Sequence, residues 1–216
     1  MDIVIPSTAS IGVFAVAATL LLLTPGPAVL YVVARSVEQG RIAGLASVFG
    51  ITTGTLVHVL ASTLGLSALL ASSALAFALV KYAGAAYLIY MGVRRILTRN
   101  GSRASPLKLP RRSLGRLYRD GFIVNVLNPK TALFFLAFLP QFVDPARGAI
   151  PMQIAFLGLL FTLMGLTSDG LYALVAGTAG LWVKRQSRYW DWERYVTGSV
   201  FIGLGLTAAL AGRRGS

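Results

Sequence analysis

Long stretches of this chain carry no charge, and no other feature constrains its fold as much. Residues 3–34 are charge-free, as are 42–80, and 42–93 contain one charge, Lys81. Beyond Asp120 at their edge, residues 120–143 break their apolar character at Asn125, Asn128-Pro129-Lys130 and Gln141; 148–183 carry one charge, Asp169, and 195–212 carry none. A bilayer span needs about 20 apolar residues, so these runs predict six helices, roughly 9–34, 42–65, 71–93, 120–143, 150–178 and 195–211. Only 12% of the 216 residues are charged and 56% are hydrophobic, where a soluble domain carries about 25% charged residues. The expected fold is an all-α integral membrane protein of one domain, 1–216.

Continuous helix is the conformation hydrocarbon permits, because an unpaired backbone group there costs several kcal/mol. The alternating ten-residue segments of a transmembrane barrel are missing. The start, Met1-Asp2-Ile3-Val4, has no basic n-region and no cleavage signal follows, so the first run reads as a retained span. Lys and Arg distribute fifteen to three between alternate loops: Arg35 and Arg41, nine from Arg94 to Arg119, and Lys184, Arg185, Arg188 and Arg194, against Arg147, Arg213 and Arg214. That asymmetry places the first three loops in the cytoplasm and both termini outside. Trp182, Trp190 and Trp192 flank the 5–6 loop, where an aromatic belt sits. The formal +13 is thereby topology and contact with anionic lipid, with no nucleic-acid partner.

The two halves repeat. Leu23-Thr24-Pro25-Gly26-Pro27 in helix 1 matches Leu127-Asn128-Pro129-Lys130 in helix 4 at an offset of 104. Gly54 with His58 matches Gly165 with Asp169 at 111, and Lys81-Tyr82 matches Arg194-Tyr195 at 113, with Gly92 answering Gly205. Three helices per copy is an odd number, so the second copy is inverted: repeat one covers about 9–93, a cytoplasmic basic loop 94–119, and repeat two about 120–211. Inverted repeats with helices 1 and 4 broken at matching places characterise secondary transporters, whose site lies at the repeat interface.

The breaks supply the chemistry. Pro25, Pro27 and Pro129 have no N–H to give, which leaves the carbonyls of Leu21, Leu23 and Asn125 unpaired within the bilayer. Each restarted half-helix presents N–H groups and a positive dipole end. One break thus offers acceptors for an ammonium and donors for a carboxylate; alternatively each is a kink closed by neighbouring hydroxyls. Asp169 is the acidic residue deep inside a predicted span, where a charge costs about 3 kcal/mol. It is either a proton carrier or the permanent partner of Lys130 or Lys81. His58, the one histidine, could relay protons or bond substrate, or pack. Lys130 could receive a carboxylate or pair with Asp169. Thr24, Asn125 and Asn128 line the site or cap a half-helix. Tyr172 follows Asp169 by three residues, on the same helical face. Gly40 with Gly44, and Gly50 with Gly54, read as close helix packing.

Enzyme chemistry fits poorly. Ser67 of Gly65-Leu66-Ser67 has its only His nine residues away, about 13 Å along one helix, beyond a base's reach. An aspartyl protease needs two membrane carboxylates. One His and one Asp make no metal site. No phosphate-binding loop marks ATP as an energy source, no cofactor is expected, and without cysteine thiol chemistry is excluded. An intramembrane hydrolase, a channel and a non-transporting assembly protein stand as alternatives.

The set formed by Leu23-Thr24-Pro25-Gly26-Pro27 with Tyr31 and Arg35, the Gly40–Gly54 spacing with His58, Lys81-Tyr82-Ala83-Gly84-Ala85-Ala86-Tyr87-Leu88, Gly121-Phe122, and Asn125 to Lys130 followed by Phe134 to Phe142 resembles the lysine exporter (LysE) superfamily, in its homoserine/threonine-efflux (RhtB) branch. The likeness covers about 10–145 strongly and thins afterwards to Asp169, Tyr172 and the glycines of helix 6. It implies export of amino acids or their derivatives across a bacterial inner membrane, driven by proton antiport, without naming the substrate or the oligomeric state. It attaches Thr24, Pro25, Gly26, Pro27, Asn128, Pro129, Lys130 and Asp169 to the translocation site, with His58 less securely placed.

Overall fold

The computed structural model describes residues 5–66, 74–97 and 111–183, together with Tyr195, Ser199, Ile202, Gly203, Leu206, Ala209 and Leu210. Every regular element among them is helical. The long helices in chain order are α1 (Thr8–Leu23), α2 (Pro27–Gln39), α3 (Arg41–Ala61), α4 (Ala74–Leu97), α5 (Leu114–Val126), α6 (Pro129–Leu133) and α7 (Ile150–Val183). A π-helical turn, Ser62–Leu66, extends α3; another, Phe134–Phe138, extends α6 and passes into the 3-10 turn Leu139–Phe142.

Arg41–Gly65 and Ile150–Thr178 are each long and apolar enough to cross a membrane. Two bent pairs qualify jointly: α1 with α2, turning 50° between Leu23 and Pro27, and α5 with Pro129–Phe142, turning 44°. The described residues thus hold two spans, or four if each pair is one span. The chain is a multi-pass membrane protein. Most of the expected sixth span, 195–211, lies outside the described residues, as do Ser67, residues 98–110 of the basic 94–119 loop, Trp190, Trp192 and the side chains of Lys81 and Trp182.

Both helix breaks fall where proline chemistry requires them. The restarts are at Pro27 and Pro129, each at the first helical position, where a missing N–H is harmless. Pro27 rather than Pro25 is therefore the structural counterpart of Pro129. Two boundaries move outward from the charge-free runs. α2 continues past residue 34 to Gln39, and α5 starts at Leu114 rather than 120. Arg35 is not loop charge: it is only 4% exposed, bonds Glu38 at 3.2 Å and lies over the Tyr31 ring. On α5, Leu117 and Gly121 turn inward while Asp120 pairs with Arg112 and Arg119. Paired charges let a helix run on beyond the apolar stretch that a charge count would mark as its end.

α3 and α5 approach until backbone meets backbone. A Cβ on Gly50 would sit 2.0 Å from the Tyr118 carbonyl oxygen, and one on Gly121 2.6 Å from that of Ser47. Gly54 faces Asn125, and Gly44 faces Ser36 and Ala173. Gly40 is different. Nothing lies near it and its φ is +86°, so it is a turn glycine joining α2 to α3, not a packing one.

Two apolar cores lie on either side of the molecule's middle. Phe14, Phe134, Phe135, Phe138 and Phe161 form an aromatic core with Leu21 and Leu157, while Ala28, Val32, Val48, Ile51 and Ala173 form an aliphatic one. Phe161 and Ile51, one from each, meet across a small polar cavity.

Candidate functional site

The cavity lies where the two breaks face each other. Gly26, Ala28 and Val29 reach it from the restart of α2, Asn125, Asn128, Lys130 and Thr131 from the second break, and Thr52 and Thr55 from α3; Thr162, Gly165 and Asp169 come from α7. Its volume is about 40 Å³, room for a few waters and too little for an amino acid.

Lys130 and Asp169 are each 6% exposed, and the lysine's charge acts on the carboxylate. The Lys130 ammonium donates to the carbonyl oxygens of Leu21 at 2.7 Å and Thr24 at 2.5 Å. Its stem crosses Gly26, where an added Cβ would come 3.0 Å from Cδ. Asn125, 2% exposed, is the hub. Its Nδ2 donates to the Ile51 carbonyl and to Thr55 Oγ1, both at 2.8 Å. Its Oδ1 accepts from Thr131 at 3.1 Å and from Asn128 Nδ2 at 3.4 Å. Asn128 caps α6 by accepting the Lys130 backbone N–H at 3.1 Å. The α2 N-terminus, by contrast, is capped by Gly26 with no side-chain bond, so its N–H groups stay available to whatever fills the cavity.

The prolines remove the usual donor four residues on, but Leu21 O and Asn125 O each accept a backbone N–H three residues on, from Thr24 at 3.1 Å and Asn128 at 3.0 Å, so they are not left unpaired. All three carbonyls also meet a side chain from the other half of the chain. Leu21 O takes Lys130. Leu23 O accepts from the Tyr172 hydroxyl at 3.0 Å. Asn125 O accepts from His58 Nε2 at 3.0 Å, and the His58 ring stacks on Phe135. The Thr24 hydroxyl turns away, bonding the Leu20 carbonyl at 2.7 Å. Closure of the first kink by a neighbouring threonine hydroxyl thus occurs, but at Leu20, while Leu23 O takes the distant Tyr172 hydroxyl.

Of the residues singled out from sequence, Gly26, Asn125, Asn128, Lys130 and Asp169 share the cavity. Thr24 reaches it through its carbonyl; Pro25, Pro27 and Pro129 shape the backbone; His58 and Tyr172 act behind it. Tyr172 does not share the cavity with Asp169. Three residues of helix turn a side chain by 300°, and the remaining 60° puts Tyr172 on an apolar hollow of about 520 Å³ between α1 and α7, lined also by Leu22, Leu23, Met164 and Leu171. Sequence reading missed Thr52, Thr55, Thr131 and Thr162. Thr162 lies seven residues before Asp169 on α7, two helical turns that mark a shared face.

The profile of the LysE type translocator family matches residues 19–212. The homoserine/homoserine lactone efflux protein of Salmonella typhimurium is 31% identical over 193 residues, covering 89% of this chain and 92% of that protein. The leucine efflux protein of Salmonella choleraesuis is 31% identical over 134 residues, 61% of this chain and 62% of that protein. An uncharacterized membrane protein of Bacillus subtilis, YrhP, is 29% identical over 202 residues, 90% and 95% of the two chains. No solved structure matches the chain.

Proposed function

The chain belongs to the LysE type translocator family, and on that premise we propose that it exports amino acids or amino-acid derivatives in exchange for protons. The observation that carries this reading is the placement of one buried cation, Lys130, and one buried carboxylate, Asp169, in a small cavity between two helix breaks. Buried charge inside a span is costly and is kept for ion or substrate pathways. Relatives named for efflux of homoserine, homoserine lactone and leucine narrow the cargo to the amino-acid class.

In this reading the chain is a six-span 3+3 inverted repeat in a bacterial inner membrane, with the basic loops cytoplasmic and both termini outside. The similar bends of 50° and 44° and the proline at each restart support it. The uncapped N-terminus of α2 and Lys130 take the substrate carboxylate; Asp169 takes the ammonium or a proton. Because Asp169 cannot hold both, outward movement of substrate alternates with inward movement of a proton. His58 and Tyr172 keep the breaks in shape. The 40 Å³ cavity must widen toward one side to load such a substrate.

The test is uptake of a labelled amino-acid panel into inside-out vesicles, with and without an imposed pH gradient, for wild type and Asp169→Asn. Saturable, gradient-driven uptake of one class is expected, with the gradient response lost in Asp169→Asn and substrate exchange partly kept. A gradient response that survives in the variant removes Asp169 from the coupling. Uptake that never saturates would make the protein a channel.

A further inference from the structure

The Lys130 ammonium sits on two carbonyl oxygens at the C-terminal end of α1, Leu21 at 2.7 Å and Thr24 at 2.5 Å. Two convergent acceptors at the negative end of a helix dipole form a receptor for a primary ammonium. The substrate class assigned above carries the same group. We propose that the Leu21 and Thr24 carbonyls are the substrate's ammonium site, and that Lys130 occupies it as a tethered stand-in which the substrate must displace. This rests on the exporter reading and adds to it the step by which cargo is recognised.

The swap accounts for the arrangement around it. Gly26 leaves the space through which the lysine stem passes; a Cβ there would stand 3.0 Å from Cδ and 3.5 Å from Nζ. Displaced, Lys130 is a cation in a small buried cavity and needs an anion. A zwitterionic amino acid brings one in the same molecule, so its ammonium replaces Lys130 while its carboxylate receives the lysine. An amine without a carboxylate would strand Lys130, leaving a charge uncompensated at severe cost. A hydroxy acid offers nothing to put on the carbonyls. Selection for an α-amino acid over either fragment follows from one lysine with two positions. Asp169, in the same cavity, balances the substrate's ammonium on the carbonyls once it has released its proton.

Removing the lysine should therefore make the protein a better receptor for a plain amine. The probe is ethylammonium, titrated by calorimetry into purified full-length protein, for wild type and Lys130→Ala, with Lys130→Ser as a second variant should the first not fold. Affinity for ethylammonium at least tenfold higher in the variant is expected. Affinity unchanged or weaker without Lys130 overturns the proposal. The exporter reading fails separately, if wild-type vesicles move no amino acid. In that case, a tenfold gain would still identify the carbonyl pair as an ammonium site.

Discussion

Replacing Gly50 by alanine should damage the site without touching a site residue. The added Cβ would lie 2.0 Å from the Tyr118 carbonyl oxygen and 3.0 Å from the Phe122 backbone nitrogen. Neither is the end of a flexible side chain, so the helices must part. Restoring ordinary contact at about 3.4 Å opens α3 from α5 by roughly 1.4 Å along that line. Bonds of 2.8 Å from Asn125 to Ile51 and Thr55, and of 3.0 Å from His58 to Asn125, would then exceed 4 Å and fail. Inter-helix hydrogen bonds in membranes average about 0.6 kcal/mol and reach about 1.7. Three of them give roughly 2–5 kcal/mol, before any loss of dispersion contact along the seam. For a chain of this size that is about 5–15 °C in Tm, measured by thermal unfolding in detergent. Gly115→Ala, with nothing within 4 Å of the new Cβ, is the matched control and should be neutral or slightly stabilising. A double-mutant cycle sharpens the test. On an Asn125→Ala background the two side-chain bonds are already gone and only the His58 bond to the backbone carbonyl of residue 125 remains, so Gly50→Ala should cost clearly less there. A Gly50→Ala Tm within 2 °C of wild type, or strict additivity in the cycle, would refute the coupling of helix packing to the site.

Two further outcomes follow from the α2 end of the molecule. Gly40, at φ +86° and ψ 179°, occupies a region reserved for glycine, so Gly40→Ala should cost about 1–3 kcal/mol, read as a fall in Tm although nothing crowds the position. Glu38→Gln leaves Arg35 buried without its carboxylate partner, and should destabilise by about 3 kcal/mol, whereas the same change at exposed Asp144 should be close to neutral.

How much of this was legible in the sequence depends on what fixes each feature. The breaks were legible because proline removes a donor wherever it stands; Pro27 and Pro129 set the restarts, and the identity of the orphaned carbonyls followed by counting four residues back. The partners of those carbonyls were not legible. Lys130, Tyr172 and His58 stood out by residue type, but spacing along one helix does not say which backbone atom of another helix lies opposite. Helix ends were misplaced where charge is paired rather than solvated. Arg35 counts as loop charge in a tally, yet it is covered by Tyr31 and Glu38. Its i,i+3 spacing to Glu38 was the available signal. The glycine motifs split for a similar reason. Gly50 and Gly54 pack, but Gly40 with the same spacing makes a turn, because the motif records small residues and not the direction of the backbone.

The cross-bonding of the breaks bears on how such a carrier could move. Carbonyls Leu21 and Leu23 of the first half are held by Lys130 and Tyr172 of the second, and Asn125 of the second by His58 of the first. If the proposed exporter works by rocking one half against the other, that motion has to break these bonds. At about 0.6 kcal/mol each the three contribute roughly 2 kcal/mol to holding the halves together, beside the Asn125 bonds to Ile51 and Thr55 and the Lys130 bond to Thr24. The paired change His58→Phe with Tyr172→Phe removes two of the three bonds while keeping ring bulk, and should raise the open population several-fold. The chain has no cysteine, so Gly165→Cys on the cavity wall, where a Cβ meets only Leu22 at 3.5 Å, is a unique reporter. Labelling by a membrane-impermeant maleimide should be faster in the paired variant than in Gly165→Cys alone. Equal rates would mean that the three bonds only shape the breaks and do not hold the halves closed.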